Sequence, residues 1–148
     1  MNVADILASK GNSVIKIRPS DTIGMLSERL LEKRVGAAVV SSDGSTIDGV
    51  ITERDVTFGL AVHKAGLYAL PVSELMTKTV IKCAPRDNIA LVASTMIARH
   101  IRHIPVEDDG QIVGMVSIRD VLNLRVDELQ QHTAMLRLQR ENMARARQ

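Results

Sequence analysis

Two short stretches hold the residues best suited to chemistry. Gly49-Val50-Ile51-Thr52-Glu53-Arg54-Asp55 and Gly114-Met115-Val116-Ser117-Ile118-Arg119-Asp120 share one pattern, a hydroxyl residue followed three positions later by a carboxylate. A carboxylate can accept from two neighbouring hydroxyls at once, so Asp55 and Asp120 suit a ribose diol. Thr52 and Ser117 stand where a helix is expected to begin. A helix N-terminus offers free N–H groups and a positive dipole end to an anion such as phosphate. Thr52 and Ser117 can add a hydroxyl donor there, and Arg54 and Arg119, in the same first turn, can add charge. Thr/Ser-x-x-Asp also describes a capping box, which satisfies a helix start and does nothing else. On the residues alone both readings stand.

Arg102 and His103 form a third candidate, placed just before the apolar run Ile104-Pro105-Val106. A guanidinium beside an imidazole suits a phosphate. The matching place in the first half holds Gly36 and Ala37. Two sites built on these halves are therefore expected to be unequal. One would favour a phosphorylated ligand, and the other would take a neutral group or stay empty.

Other chemistries lack their residues. His63, His100, His103 and His132 show no metal-ligand spacing, so no metal is expected. Cys83 is the single cysteine and reads as a core thiol. No Gly-rich phosphate loop, nucleophile with a base, or pair of acids can be nominated, so the chain does not read as an enzyme. The seven Met residues read as core filler.

The elements that must position these residues come twice. Pro19-Ser20-Asp21-Thr22-Ile23 returns as Pro85-Arg86-Asp87-Asn88-Ile89, and the offset shortens by one residue in the second hairpin. Each unit reads as an opening turn (Val3 to Leu7; Val72 to Met76), then a strand (Val14 to Ile17; Thr79 to Lys82). A helix follows, expected to be capped by Asp21 or Asp87. Next comes a hairpin through Ser42-Asp43-Gly44 or Asp108-Asp109-Gly110, then a second helix from Thr52 or Ser117. The order is β-α-β-β-α, twice, in an α+β fold whose halves stack about a pseudo-two-fold axis. The expected divisions are repeat one over 2–65, a linker over 66–70, repeat two over 71–127 and a helical extension over 128–148. Past Asp120, Leu122, Val126, Leu129, Thr133, Leu136, Arg140 and Met143 alternate at spacings of four and three, a heptad seam on one long helix.

Composition narrows the function classes. The chain has 148 residues, 45% of them hydrophobic, enough for a packed core. Only Phe58 and Tyr68 are aromatic, which argues against base-stacking platforms. A net charge of +2 argues against a nucleic-acid or membrane partner, and the arginines of the last turns read as a solvated helix face. With no apolar run long enough to span a bilayer, no signal-like opening and no disulfide, the expected location is cytoplasmic.

At the level of wording, the two Gly-hydrophobic-x-Thr/Ser-x-x-Asp endings, with Leu75-Met76-Thr77 and Arg102-His103-Ile104-Pro105-Val106, resemble a tandem pair of CBS domains. These are the cystathionine-β-synthase type regulatory modules, here of the stand-alone bacterial type. The resemblance covers residues 2 to 127. It implies an adenosyl ligand (AMP, ADP, ATP, NAD(H) or S-adenosylmethionine) held between the repeats, a homodimer in a flat disc, and an unknown regulated protein. It also implies a regulatory rather than catalytic role. The site it implies comprises Thr52, Arg54, Asp55, Arg102, His103, Ile104, Pro105, Ser117, Arg119 and Asp120. Met76, Thr77, Thr79 and Ala38 join them, with backbone groups of Lys10–Val14 and Met76–Val80 reading the adenine edge. The alternative is a non-catalytic module for dimerisation or protein interaction, acting through the C-terminal helix.

Overall fold

The structure, a computed structural model, describes residues 1–147. Helix α1 (Val3–Lys10) opens on a capping box between Asn2 and Asp5 and stops at Gly11, where φ is 86°. Strand β1 (Lys16–Ile17) leads to α2 (Ile23–Lys33), then β2 (Ala37–Val40), β3 (Gly49–Thr52) and α3 (Glu53–His63). Two 3-10 turns, Lys64–Leu67 and Val72–Glu74, join the repeats. The second repeat has α4 (Ile89–Arg99), β4 (His103–Asp108), β5 (Gln111–Ser117) and α5 (Ile118–Ala146).

Two expectations give way. Asp21 and Asp87 do not cap the helices; Thr22 accepts from Met25 N–H at 3.2 Å and Asn88 from Ala90 N–H at 2.8 Å. The aspartates instead accept from Arg18 and Ala84 N–H, closing the turns that follow β1 and Cys83. The cap must be the extended residue immediately before the first helical one, and that residue is one position later than the aspartate. The strand expected over Thr79–Lys82 is absent. A single parallel bridge, Cys83 to Val106, stands in its place. Residues 66–70, between the repeats, form a packed corner: Leu67 is buried, and Ile23 and Gly24 N–H donate to Leu70 and Tyr68 carbonyls.

β1 runs parallel to β2 and β2 antiparallel to β3, while β4 and β5 form a separate antiparallel ribbon. The β4–β5 turn places Asp109 at φ 49° and Gly110 at φ 74°, the positive pair that a two-residue hairpin needs. The β2–β3 loop is longer and is held by Asp43. Backbone N–H of Thr46 and Ser45 pull its carboxyl well below the usual carboxylate range.

The two cores exchange their openings. Val3 and Ile6 of repeat one pack with Cys83, Ile89, Met96, Ile104 and Val116 of repeat two. Leu67 and Val72 pack with Ile17, Leu26, Val40 and Ile51 of repeat one. Glycine makes each exchange possible. A Cβ on Gly114 would stand 2.8 Å from Leu7, and one on Gly49 would stand 2.9 Å from both the Met76 sulfur and the Thr77 carbonyl. A third cluster, Ala37, Val39, Ile112 and Met115, fills the space between the repeats.

Candidate functional site

A cleft of ≈ 420 Å³ lies where the two repeats meet. The end of β3 and the start of α3 supply Thr52, Arg54 and Asp55; the end of α4 and the start of β4 supply Arg102, His103 and Pro105. Thr77, Thr79, Val80 and Ile81 form another wall. This volume falls within the range of small-molecule sites.

Local structure explains each position. Thr52 caps α3, with its hydroxyl facing Asp55 N–H at 3.4 Å. One oxygen of Asp55, Oδ2, accepts from Thr52 N–H at 2.8 Å and from its hydroxyl at 3.2 Å. Among the described residues Oδ1 has no partner. The capping reading and the ligand reading are thus compatible, since one oxygen holds the helix start and the other remains free to accept. Arg54 donates from Nη1 to the His100 carbonyl at 3.0 Å, so its guanidinium spans from one repeat to the other. Burial pushes the His103 imidazole below its ordinary pKa, while the Glu53 and Asp120 carboxylates pull it back up. No backbone bond outside regular elements involves residues 78–82. The missing strand therefore leaves a short run of unpaired N–H and C=O groups, and Thr79 to Ile81 of that run stand along the cleft.

The expected residues divide into two places. Thr52, Arg54, Asp55, Thr77, Thr79, Arg102, His103 and Pro105 meet in the large cleft. Ala38 and Ile104 are fully buried, so only their backbone is available. Met76 packs on Gly49. Asp120 lines a separate space of ≈ 80 Å³ beside Lys10. There Asp120 Oδ2 receives Ser117 N–H at 2.8 Å and the Lys10 ammonium at 2.7 Å. Ser117 caps α5, and Arg119 is exposed.

The sequence offset missed two things. It grouped Arg102 and His103 with Asp120; both line the cleft that holds Asp55, while His103 also feels the Asp120 carboxylate. Nor did it single out Lys10 as the partner of Asp120. A usable signal existed: Val3 to Val14 spans eleven steps, whereas Val72 to Val80 spans eight. The extra length belongs to α1, whose last residue is Lys10. Cys83 is a buried thiol pushed up to about 12, which keeps it protonated and inert. Among the described residues no group of His, Cys, Asp or Glu could hold a metal ion, and no helix is long and apolar enough to cross a membrane.

Comparison with known proteins agrees with this architecture. The CBS domain family model matches residues 3–61 and again 72–127. A mitochondrial CBS domain-containing protein of Arabidopsis thaliana, CBSX3, is 31% identical over 85% of this chain and 65% of its own length. The chain thus spans just under two thirds of that relative. The crystal structure of the CBS-domain containing protein ATU1752 from Agrobacterium tumefaciens superposes with a TM-score of 0.80. It is 34% identical, over 84% of this chain and 92% of that one. The CBS domain protein PAE2072 from Pyrobaculum aerophilum, solved in complex with AMP, gives a TM-score of 0.72 at 25% identity, over 81% of this chain and 89% of that one. Two matched repeats, each ending in a capped hydroxyl-to-aspartate turn and exchanging openings across a shared core, make this chain a member of the CBS domain family, with its repeats in tandem.

Proposed function

We propose that the chain is a regulatory sensor that binds one phosphorylated adenosine ligand, such as AMP, in the large cleft. The observation that carries this reading is the meeting of Asp55 with Arg102 and His103 across the two repeats. The free oxygen of Asp55 suits the ribose diol. Arg102, His103 and the N-terminus of α3 suit the phosphate. The open backbone of residues 78–82 can pair with the adenine edge, and Val80 and Ile81 supply apolar wall. AMP in a related pair supports the ligand class. The space beside Asp120 is only ≈ 80 Å³, too small for an adenosine ligand, and Lys10 bonds Asp120 Oδ2 there.

Thermal-shift titration with AMP, ADP, ATP, NAD⁺ and S-adenosylmethionine tests this. A ligand at 100 times its dissociation constant adds about 2.7 kcal/mol. The shift should vanish in Asp55→Ala and in an Arg102→Ala/His103→Ala pair and persist in Asp120→Ala. A shift lost in Asp120→Ala and kept in Asp55→Ala would refute the assignment.

A further inference from the structure

The protruding part of α5 has no packing partner among the described residues. From Asp127 to Arg147 every residue except Glu128 is exposed. On one side of it run Leu122, Val126, Leu129, Leu136 and Met143, exposed by 58%, 50%, 67%, 44% and 59%. Most helical stability in proteins comes from packing an apolar face, and the arm has none packed. We infer that it pairs with the same helix of a second copy as a parallel, two-stranded coiled coil.

The choice of residues along the seam sets number and direction. A stripe that keeps to a seven-residue repeat stays facing a neighbour only if two helices wind around each other. Leu122, Leu129 and Leu136 take the d positions. β-Branched Val126 and Thr133 take the first two a positions. That division, β-branched at a and leucine at d, is what parallel pairs favour. Arg140 at the third a position costs stability and fixes register, and its long stem lets the guanidinium reach water. An in-register parallel pair has its two-fold axis along the arms, so both seams meet at once.

The basic residues of the last turns lie on the seam's own side. Arg140 and, one heptad on, Arg147 fall at a positions and Arg137 at the neighbouring e, beside Leu136 and Met143 at d, while Arg145 falls at f. An anionic partner for that end of the arm is therefore the competing occupant, and the cross-linking below decides against it or for it.

Oxidative cross-linking of the full chain tests the pairing. Leu136→Cys places a thiol at a d position, and Gln131→Cys places one at f, on the outer face. The wild type, with its buried Cys83, measures the background. Leu136→Cys should form a disulfide-linked dimer almost completely, while Gln131→Cys stays at background. Equal cross-linking of both, or of neither, overturns the inference; the second result would leave the arm to a different protein. As an independent readout, Leu129→Glu/Leu136→Glu should lose helical circular dichroism from the arm and keep the melting transition of the body. An unchanged helix signal in that variant also overturns it.

Discussion

Asp55 and Asp120 cap equivalent helices in the same way, yet they differ in what else they touch. Among the described residues both keep Oδ1 without a partner, but Oδ2 of Asp120 also holds an ammonium at 2.7 Å. The Lys10 and Asp120 side chains are 33% and 17% exposed, so the pair is partly screened. Lys10→Ala should cost about 0.5–1 kcal/mol in urea unfolding and leave AMP affinity in the large cleft unchanged. Loss of AMP binding in that variant would show that the ligand lies beside Asp120 instead. His103 makes a pH prediction. Its folded pKa is lowered, first by burial, from an ordinary value of 6.5. Between these two pKa values the unfolded chain binds the proton and the folded chain resists it. Stability is therefore full above about pH 6.5 and falls as pH drops toward the folded value. His103→Gln should flatten this slope in denaturant titrations at pH 7.5, 6.5 and 5.5; an unchanged slope would assign it to another group.

At the scale of elements, α2 and α4 end alike, with Arg34 and His100 in the left-handed region at φ 54°. Both side chains pay a steric cost that glycine avoids. Arg34 lies away from the cleft, so Arg34→Gly should stabilise by about 1 kcal/mol, visible as a higher Tm. A lower Tm would mean that the Arg34 side chain makes a stabilising contact. Much at this scale was legible in the sequence. The hairpin turn followed from Asp109-Gly110, and the starts of α3 and α5 followed from Thr52 and Ser117. Their signals are local, set by which backbone angles a residue tolerates and which N–H it can reach. The cap at Thr22 rather than Asp21 was not legible, because both residues are good caps and tertiary docking of the turn decides between them. The missing strand at Thr79–Lys82 was not legible either. Its residues have the β-prone character of a strand, but they form a cleft wall, where no neighbouring strand completes a ladder.

At the scale of the molecule, sequence similarity between halves identifies equivalent residues but not neighbours. Asp120 matches Asp55 in sequence, while Arg102 and His103 meet Asp55 in space, because the cleft runs across the repeats. Exchange of the openings has the same origin and makes a prediction. A chain ending at Gly66 lacks Leu67 and Val72, both buried in the first core. It should stay unfolded by circular dichroism and gain structure only when residues 67–148 are added. A cooperative melt from residues 1–66 alone would show that the first core is self-sufficient.

That exchange also bears on ancestry. A single unit of this type, expressed before any duplication, could not have covered its own core. Two separate copies could have done so, each lending its opening helix or turn to the other across a glycine. The present chain then has the form of a homodimer whose subunits became joined end to end. Once joined, the copies were free to diverge. The two copies of the site now differ in that Lys10, the last residue of α1, bonds Asp120 Oδ2 in one of them.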